Sequence, residues 1–169
     1  KTILAAVIVT ILMNLLLFPY QQMVPVIAKN VLDVGPGLMG LLLASEGFGA
    51  FIGAVGIASA ANITRHGRIF LGGSLLSLLA ILAFSASGYY GLSLPILIVA
   101  GLGTSGFGTM QATIVILVAR EEMRGRALGV MTLAIGASPL GALLVGGLAS
   151  VLGPIEAVAL MTGVGFVSV

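Results

Sequence analysis

Long apolar runs, separated by short charged or turn-forming stretches, constrain the fold of this chain more than any other feature. A helix needs about 20 apolar residues to cross a bilayer core of about 30 Å, whereas a strand of a membrane barrel needs only about ten. The sequence predicts six helical runs, at about residues 3–27, 38–61, 69–87, 94–119, 127–152 and 155–169, the last slightly short of a full span. We therefore expect an all-α, polytopic membrane protein whose six transmembrane helices form a single bundle.

The composition indicates that lipid surrounds this chain. Hydrophobic residues make up 59% of it and charged residues only 7%, whereas a soluble domain carries about 25% charged residues. Because these few polar groups cannot cover a water-facing surface, we expect the lipid bilayer to be a partner of the chain. The net charge of +2, without a cluster of basic and aromatic residues, does not indicate nucleic-acid binding. No cleavable signal peptide is predicted at the start.

The distribution of lysine and arginine predicts the orientation of the helices. If six helices alternate in direction, one side of the membrane receives Lys1, Arg65, Arg68, Arg120, Arg124 and Arg126, and the other receives only Lys29. Cytoplasmic loops carry the excess of positive charge. We therefore expect both ends of this segment in the cytoplasm, and a cell membrane, such as a bacterial inner membrane, as the location.

A faint internal repeat relates the second and fifth predicted helices. An offset of 89 residues superimposes Gly40, Gly47 and Ala50 on Gly129, Gly136 and Pro139. Units of three helices insert with opposite orientations, which is typical of transporters built from inverted repeats. Glycine-rich membrane chains also produce such matches by chance, so the repeat is a weak signal for a 3+3 arrangement.

Glu46 is an acid within the apolar run LLASEGFGAFIG, residues 42–53. Nine residues after Gly37, at about 1.5 Å each, place it about 14 Å into the membrane, where a charge costs about 2.5 to 3.5 kcal/mol. Gly49, Ala50 and Gly53 form a small-residue stripe beside it, to which another helix can come close. We therefore expect Glu46 to face the bundle or a wet cavity. It is either a proton or substrate site, or an acid that bonds a neighbouring helix.

Four amides offer further polar groups inside the predicted spans. Asn14, Gln21 and Gln22 belong to the first helix, and Gln111 belongs to the fourth, within the glycine-rich stretch GLGTSGFGTMQAT. Buried amides need hydrogen-bond partners. These four are candidate substrate contacts, although bonding between helices is the simpler interpretation. Gln21 and Gln22 are consecutive and cannot both face one way.

Two charged stretches carry a resemblance to a known family. RGRALG at residues 124–129, followed by GASPLGALLVGG at 136–147, resembles the major facilitator superfamily near its fifth or eleventh helix. TRHGR at residues 64–68 resembles that family's loop between helices two and three or eight and nine. In the family's first half this loop reads Gly-x-Leu-x-Asp-Arg-x-Gly-Arg. Arg65, Gly67 and Arg68 match it, while Thr64 and Ala60 replace the aspartate and the leading glycine.

The resemblance implies that the chain corresponds to helices seven to twelve of such a transporter, most similar to the multidrug and siderophore exporters. It covers the whole chain and implies a missing N-terminal half of six helices, so that the chain is a fragment of a twelve-helix protein; the alternative is a half that dimerises. It also implies that the first and fourth helices line a central cavity. Arg65, Arg68, Arg124 and Arg126 would then contribute to a cytoplasmic gate, in addition to fixing the topology.

We therefore expect secondary active transport of a small solute by alternating access, with proton-coupled efflux of a hydrophobic drug or siderophore-like compound as the favoured form. The alternatives are a non-transporting membrane scaffold or inactive fragment, and a channel. The sequence does not indicate an enzyme, a cofactor or a metal site. It has no cysteine and one histidine, and it lacks the zinc and phosphate-binding motifs.

Overall fold

The computed structural model describes residues 2–60 and 64–169, and this part of the chain consists of helices joined by short connections. The α-helices are α1 (Thr2–Leu12), α2 (Tyr20–Asn30), α3 (Pro36–Ser59), α4 (His66–Ser85), α5 (Tyr90–Val118), α6 (Arg124–Ile135), α7 (Ser138–Leu152) and α8 (Pro154–Ser168). Lys1, used in the charge argument, and Ala61, the predicted end of the second helix, lie outside the described residues.

Five helical stretches are long and apolar enough to cross a membrane. They are Thr2–Asn30, Pro36–Ser59, His66–Ser85, Tyr90–Val118 and Glu121–Leu152. The sixth predicted span corresponds to α8, which is apolar but has only 15 residues. The all-helical, membrane-compatible fold is thus confirmed, and a sixth crossing remains a prediction.

The first span is interrupted near its middle. A π-helical turn, Met13–Leu17, follows α1, and the Phe18 N–H donates to the Met13 carbonyl at 3.0 Å. Pro19, which has no N–H to continue the ladder, then precedes α2. Pro19 therefore coincides with a break, whereas Pro25 lies within the continuous helix α2.

The fifth span consists of two helices rather than the one predicted over residues 127–152. Helix α6 ends at Ile135, and α7 begins at Ser138 with Pro139 in its first turn. Pro139 has no N–H to bond the Ile135 carbonyl, so a continuous helical ladder is interrupted there. By contrast, α3 continues unbroken through Gly47, which the repeat aligns with Gly136.

Several helices begin earlier than their apolar runs. Arg68 lies in the first turn of α4, and Arg124 and Arg126 lie in the first turn of α6, which a 3₁₀ turn, Glu121–Met123, precedes. Tyr90, which precedes the predicted run 94–119, is the first residue of α5. The expectation that the arginines lie in loops was therefore wrong for these three. Charge ends an apolar run, but arginine is a good helix former.

Helix α5 packs closely against α3 and α4 through glycines. A Cβ atom at Gly49 would overlap the Ile98 carbonyl, and one at Gly101 would overlap the Glu46 carbonyl. Gly73 and Gly103 bring α4 and α5 together in the same way. The small-residue stripe on α3 thus receives another helix, as predicted. Phe48 and Phe51 face outward, with 57% and 66% exposure.

The two ends of the bundle gather different residues. At one end the Tyr90 hydroxyl donates to the Leu38 carbonyl at 3.0 Å, which joins the first turns of α5 and α3. At the other end, Thr2, Arg65 and Val118 line one cleft, so the start of α1, the start of α4 and the end of α5 lie together. The helices therefore alternate in direction, as the charge argument requires.

Candidate solute-binding cleft

An open cleft of about 400 Å³ lies where the two interrupted spans meet. Asn14 and Phe18 come from the break in the first span, and Ile135 and Ser138 flank the break in the fifth. The remaining lining residues are Gln21, Thr104, Phe107, Gly108 and Gln111. Irregular backbone at membrane depth is tolerated where it is buried in protein or lines a cavity, and transporters place their binding sites at such interrupted helices.

Three polar side chains form a buried cluster at this cleft. Asn14 Nδ2 donates to the Thr10 carbonyl at 2.9 Å, and Gln111 Nε2 donates to Thr10 Oγ1 at 3.2 Å. Thr10 has no exposed surface. In the described part of the chain, the side-chain oxygens of Asn14 and Gln111 accept no hydrogen bond. The cluster thus joins α1 to α5, and its two amide oxygens are without a donor among the described residues.

The cleft also has an apolar wall. The rings of Phe18 and Phe107 pack at 5.9 Å between centroids, and Phe107 stacks on Phe70 at 5.3 Å. Ile135 adds aliphatic surface. A site with mostly apolar walls and a few placed polar groups is typical of small-molecule binding.

Glu46 connects to the cleft through Gln21. Gln21 Nε2 donates to Glu46 Oε1 at 3.2 Å and lies 3.5 Å from Oε2. Glu46 belongs to α3 and is half-buried, while Gln21 belongs to α2 and is exposed. The carboxyl group therefore lies one amide away from the cleft rather than in its lining.

Tyr20 is a polar residue next to this pair that the sequence argument did not consider. Its side chain is buried, and its hydroxyl has no hydrogen-bond partner within the described residues. A buried hydroxyl without a partner is costly, and Tyr20 directly precedes Gln21, the hydrogen-bond partner of Glu46, on α2.

The structure brings together most of the predicted site residues. Asn14, Gln21 and Gln111 line the cleft, and Glu46 bonds Gln21. Gln22 is exposed and does not line the cleft, consistent with two consecutive glutamines facing different ways. Thr10 was missed, although its position four residues before Asn14 puts both on one helix face.

The four arginines assigned to the gate all lie at one end of the bundle. Arg124 Nε donates to the Ile116 carbonyl at 3.1 Å, where it satisfies the C-terminal end of α5, and its guanidinium lies 3.6 Å from Glu121. Such an exposed ion pair within one turn contributes little stability. For Arg65, Arg68 and Arg126, residues 2–60 and 64–169 provide no ion pair. Whether they form a gate remains a prediction.

Comparisons with known proteins do not extend the resemblance. No protein-family model, curated protein or solved structure matches the chain. Within residues 2–60 and 64–169, no group of three His, Asp or Glu side chains is placed to hold a metal ion.

Proposed function

We propose that this chain takes part in secondary active transport of a small solute by alternating access, as a half resembling helices seven to twelve of the major facilitator superfamily. One observation carries the proposal. The amides of Asn14, in the break of the first span, and Gln111, on α5, are far apart in sequence and line one cleft that the breaks of two spans border. Interrupted helices around a central site are a recurring arrangement in transporters.

The chemistry of the cleft favours a hydrophobic solute that carries hydrogen-bond donors or a positive charge. The free oxygens of Asn14 and Gln111 are acceptors, and the phenylalanine wall suits apolar or aromatic surface. Glu46 adds a carboxylate through Gln21. A hydrophobic cation, as found among drugs, meets these requirements, whereas a siderophore-like compound is supported only by the family resemblance.

Glu46 is the proposed proton-coupling group. Its carboxylate accepts the Gln21 amide when ionised, whereas a protonated acid gains a donor of its own. Proton binding would therefore change the hydrogen bonds that Glu46 makes to α2, where Gln21 is its present partner and the unpartnered hydroxyl of Tyr20 is the proposed second one. Because both partners belong to α2, such a change would link proton binding at Glu46 to movement of α2, the segment that follows the break in the first span.

Reconstitution tests this function. The chain is placed in proteoliposomes, alone and together with a six-helix N-terminal bundle of the same family, and uptake of ethidium against its gradient is measured under an imposed pH gradient. We expect vectorial transport from the pair and none from the chain alone. Robust transport by the chain alone would contradict the need for a partner bundle. Absence of transport with the pair, for ethidium and for a panel of hydrophobic cations and siderophores, would contradict the proposed function.

A further inference from the structure

The N-terminal end of α4 carries positive charges that no acidic side chain among the described residues neutralises. Arg65 is the residue before this helix, and its side chain forms no capping bond. The first N–H groups of a helix point outward and carry a partial positive charge. Arg65 and Arg68 are exposed beside them, and none of the described acids pairs with either. Together with Thr64 and His66, they line a cleft of about 480 Å³.

An apolar groove of about 430 Å³ begins at the same arginine. Arg68 lines both the basic cleft and this groove, which continues between α3, α4 and α5 along residues such as Gly56, Gly72 and Leu76. A Cβ atom at Gly56 or Gly72 would meet nothing within 4 Å. These two glycines therefore leave open space, in contrast to Gly73, where the Cβ position lies 2.6 Å from the Gly103 carbonyl.

We propose that these two parts form one binding site for an anionic phospholipid, with the phosphate headgroup at the α4 N-terminus and an acyl chain in the groove. A helix N-terminus flanked by arginines is suited to a phosphate. Basic pockets between transmembrane helices bind anionic headgroups in the cytoplasmic leaflet, the side to which the charge distribution assigns these arginines.

A lipid explains both parts of the site better than the alternatives. A free phosphate would satisfy the arginines but would leave the groove without an occupant. A helix of another protein could fill the groove, but an apolar helix would leave the charge of Arg68 unmatched at its end. One molecule with an anionic head and an apolar tail matches the charge and the open space together.

Lipid retention measures this site directly, without any transport assay. The purified chain is equilibrated with equal amounts of phosphatidylglycerol and phosphatidylcholine that carry the same acyl chains, and the lipids that remain bound are counted by native mass spectrometry. We expect preferential retention of one phosphatidylglycerol. The double variant Arg65→Gln/Arg68→Gln should weaken that preference about tenfold. Arg126→Gln, which removes a charge at the same end without touching either cleft, is the matched control.

Gly72→Leu tests the acyl-chain part. A Cβ atom at this position meets nothing within 4 Å and Gly72 lines the groove, so we expect the leucine to occupy the groove, with the fold retained and lipid binding weakened. Gly147→Leu, at an equally open position on α7, controls for the added leucine, and circular dichroism checks helix content. Inorganic phosphate should displace little of the bound lipid. Equal retention of the two lipids by the unaltered chain, or an equal loss in Arg126→Gln, would overturn the proposal.

Discussion

Gln111 Nε2 donates a hydrogen bond to Thr10 Oγ1 at 3.2 Å, although 101 positions separate the two residues. The bond crosses from α5 to α1 at the point where the first span leaves regular α-helix. Asn14 bonds the carbonyl of the same threonine at 2.9 Å. Both amides of the cleft therefore bond the same buried residue, Gln111 through the hydroxyl of Thr10 and Asn14 through its backbone carbonyl.

Replacement of Gln111 by leucine should destabilise the bundle. The change removes the bond to Thr10, and hydrogen bonds between membrane helices contribute about 1 kcal/mol. We expect a loss of that order in the free energy of unfolding, measured by denaturant titration in mixed micelles. Thr113→Val on the same helix, whose hydroxyl bonds only its own backbone, should change it by less than about 0.5 kcal/mol. Additive effects of Thr10→Val and Gln111→Leu in the double variant would contradict the coupling.

Two glycines of α5 should respond in opposite ways to alanine. At Gly101 the new Cβ would overlap the carbonyl of Glu46, so α3 and α5 must separate, at a cost of about 1 to 3 kcal/mol. At Gly108 the new Cβ would meet nothing within 4 Å, and alanine favours the helix by up to about 1 kcal/mol. Thermal unfolding of both variants gives the comparison. Similar effects at the two positions would show that α3 and α5 do not pack as described.

The topology can be tested with reporters that are active on only one side of the membrane. Fusions after Arg68 and after Arg126 should report the cytoplasm, and a fusion after Asp33 should report the exterior. The structure places both arginines at the end of the bundle that contains Thr2 and Val118. The opposite pattern would overturn the charge argument, and with it the assignment of the anionic-lipid site to the cytoplasmic leaflet.

Hydrophobicity predicted the helical segments well because a membrane span is defined by its length and apolar content. Its limits appear at Arg68 and Arg124, which are helical although they are charged. The breaks at Leu17 and Ile135 were harder to predict. Each depends on a proline within an apolar run, yet Pro25 and Pro95 lie inside continuous helices. A proline therefore indicates a place where a break can occur, and the surrounding packing decides whether it does.

The candidate site was predicted by residue type but not by geometry. Amides and an acid inside apolar helices are costly, so Asn14, Gln111 and Glu46 could be singled out from the sequence alone. The pairing of Gln21 with Glu46, and not with Gln111, depends on how α2 meets α3. Tyr20 escaped notice because only the structure shows that its hydroxyl is buried without a partner in the described part of the chain.

We propose that Glu46 couples solute movement to protons, and the variant Glu46→Gln separates this role from a purely structural one. Glutamine keeps the size of the side chain and can still accept a hydrogen bond from Gln21, so insertion and folding should be unchanged. It cannot gain or lose a proton. Glu156→Gln, at the exposed start of α8, removes an acid that does not line the cleft and should behave like the unaltered chain.

The decisive measurement is accumulation of ethidium against its own concentration gradient, driven by an imposed pH gradient. It is made in proteoliposomes that contain the chain and its partner bundle. We expect Glu46→Gln to lose uphill accumulation while it retains solute binding and downhill exchange, and Glu156→Gln to retain all three. If Glu46 only bonds α2 to α3, glutamine will substitute well and Glu46→Leu will impair folding instead. Accumulation by Glu46→Gln equal to that of the unaltered chain would contradict the proton-coupling role.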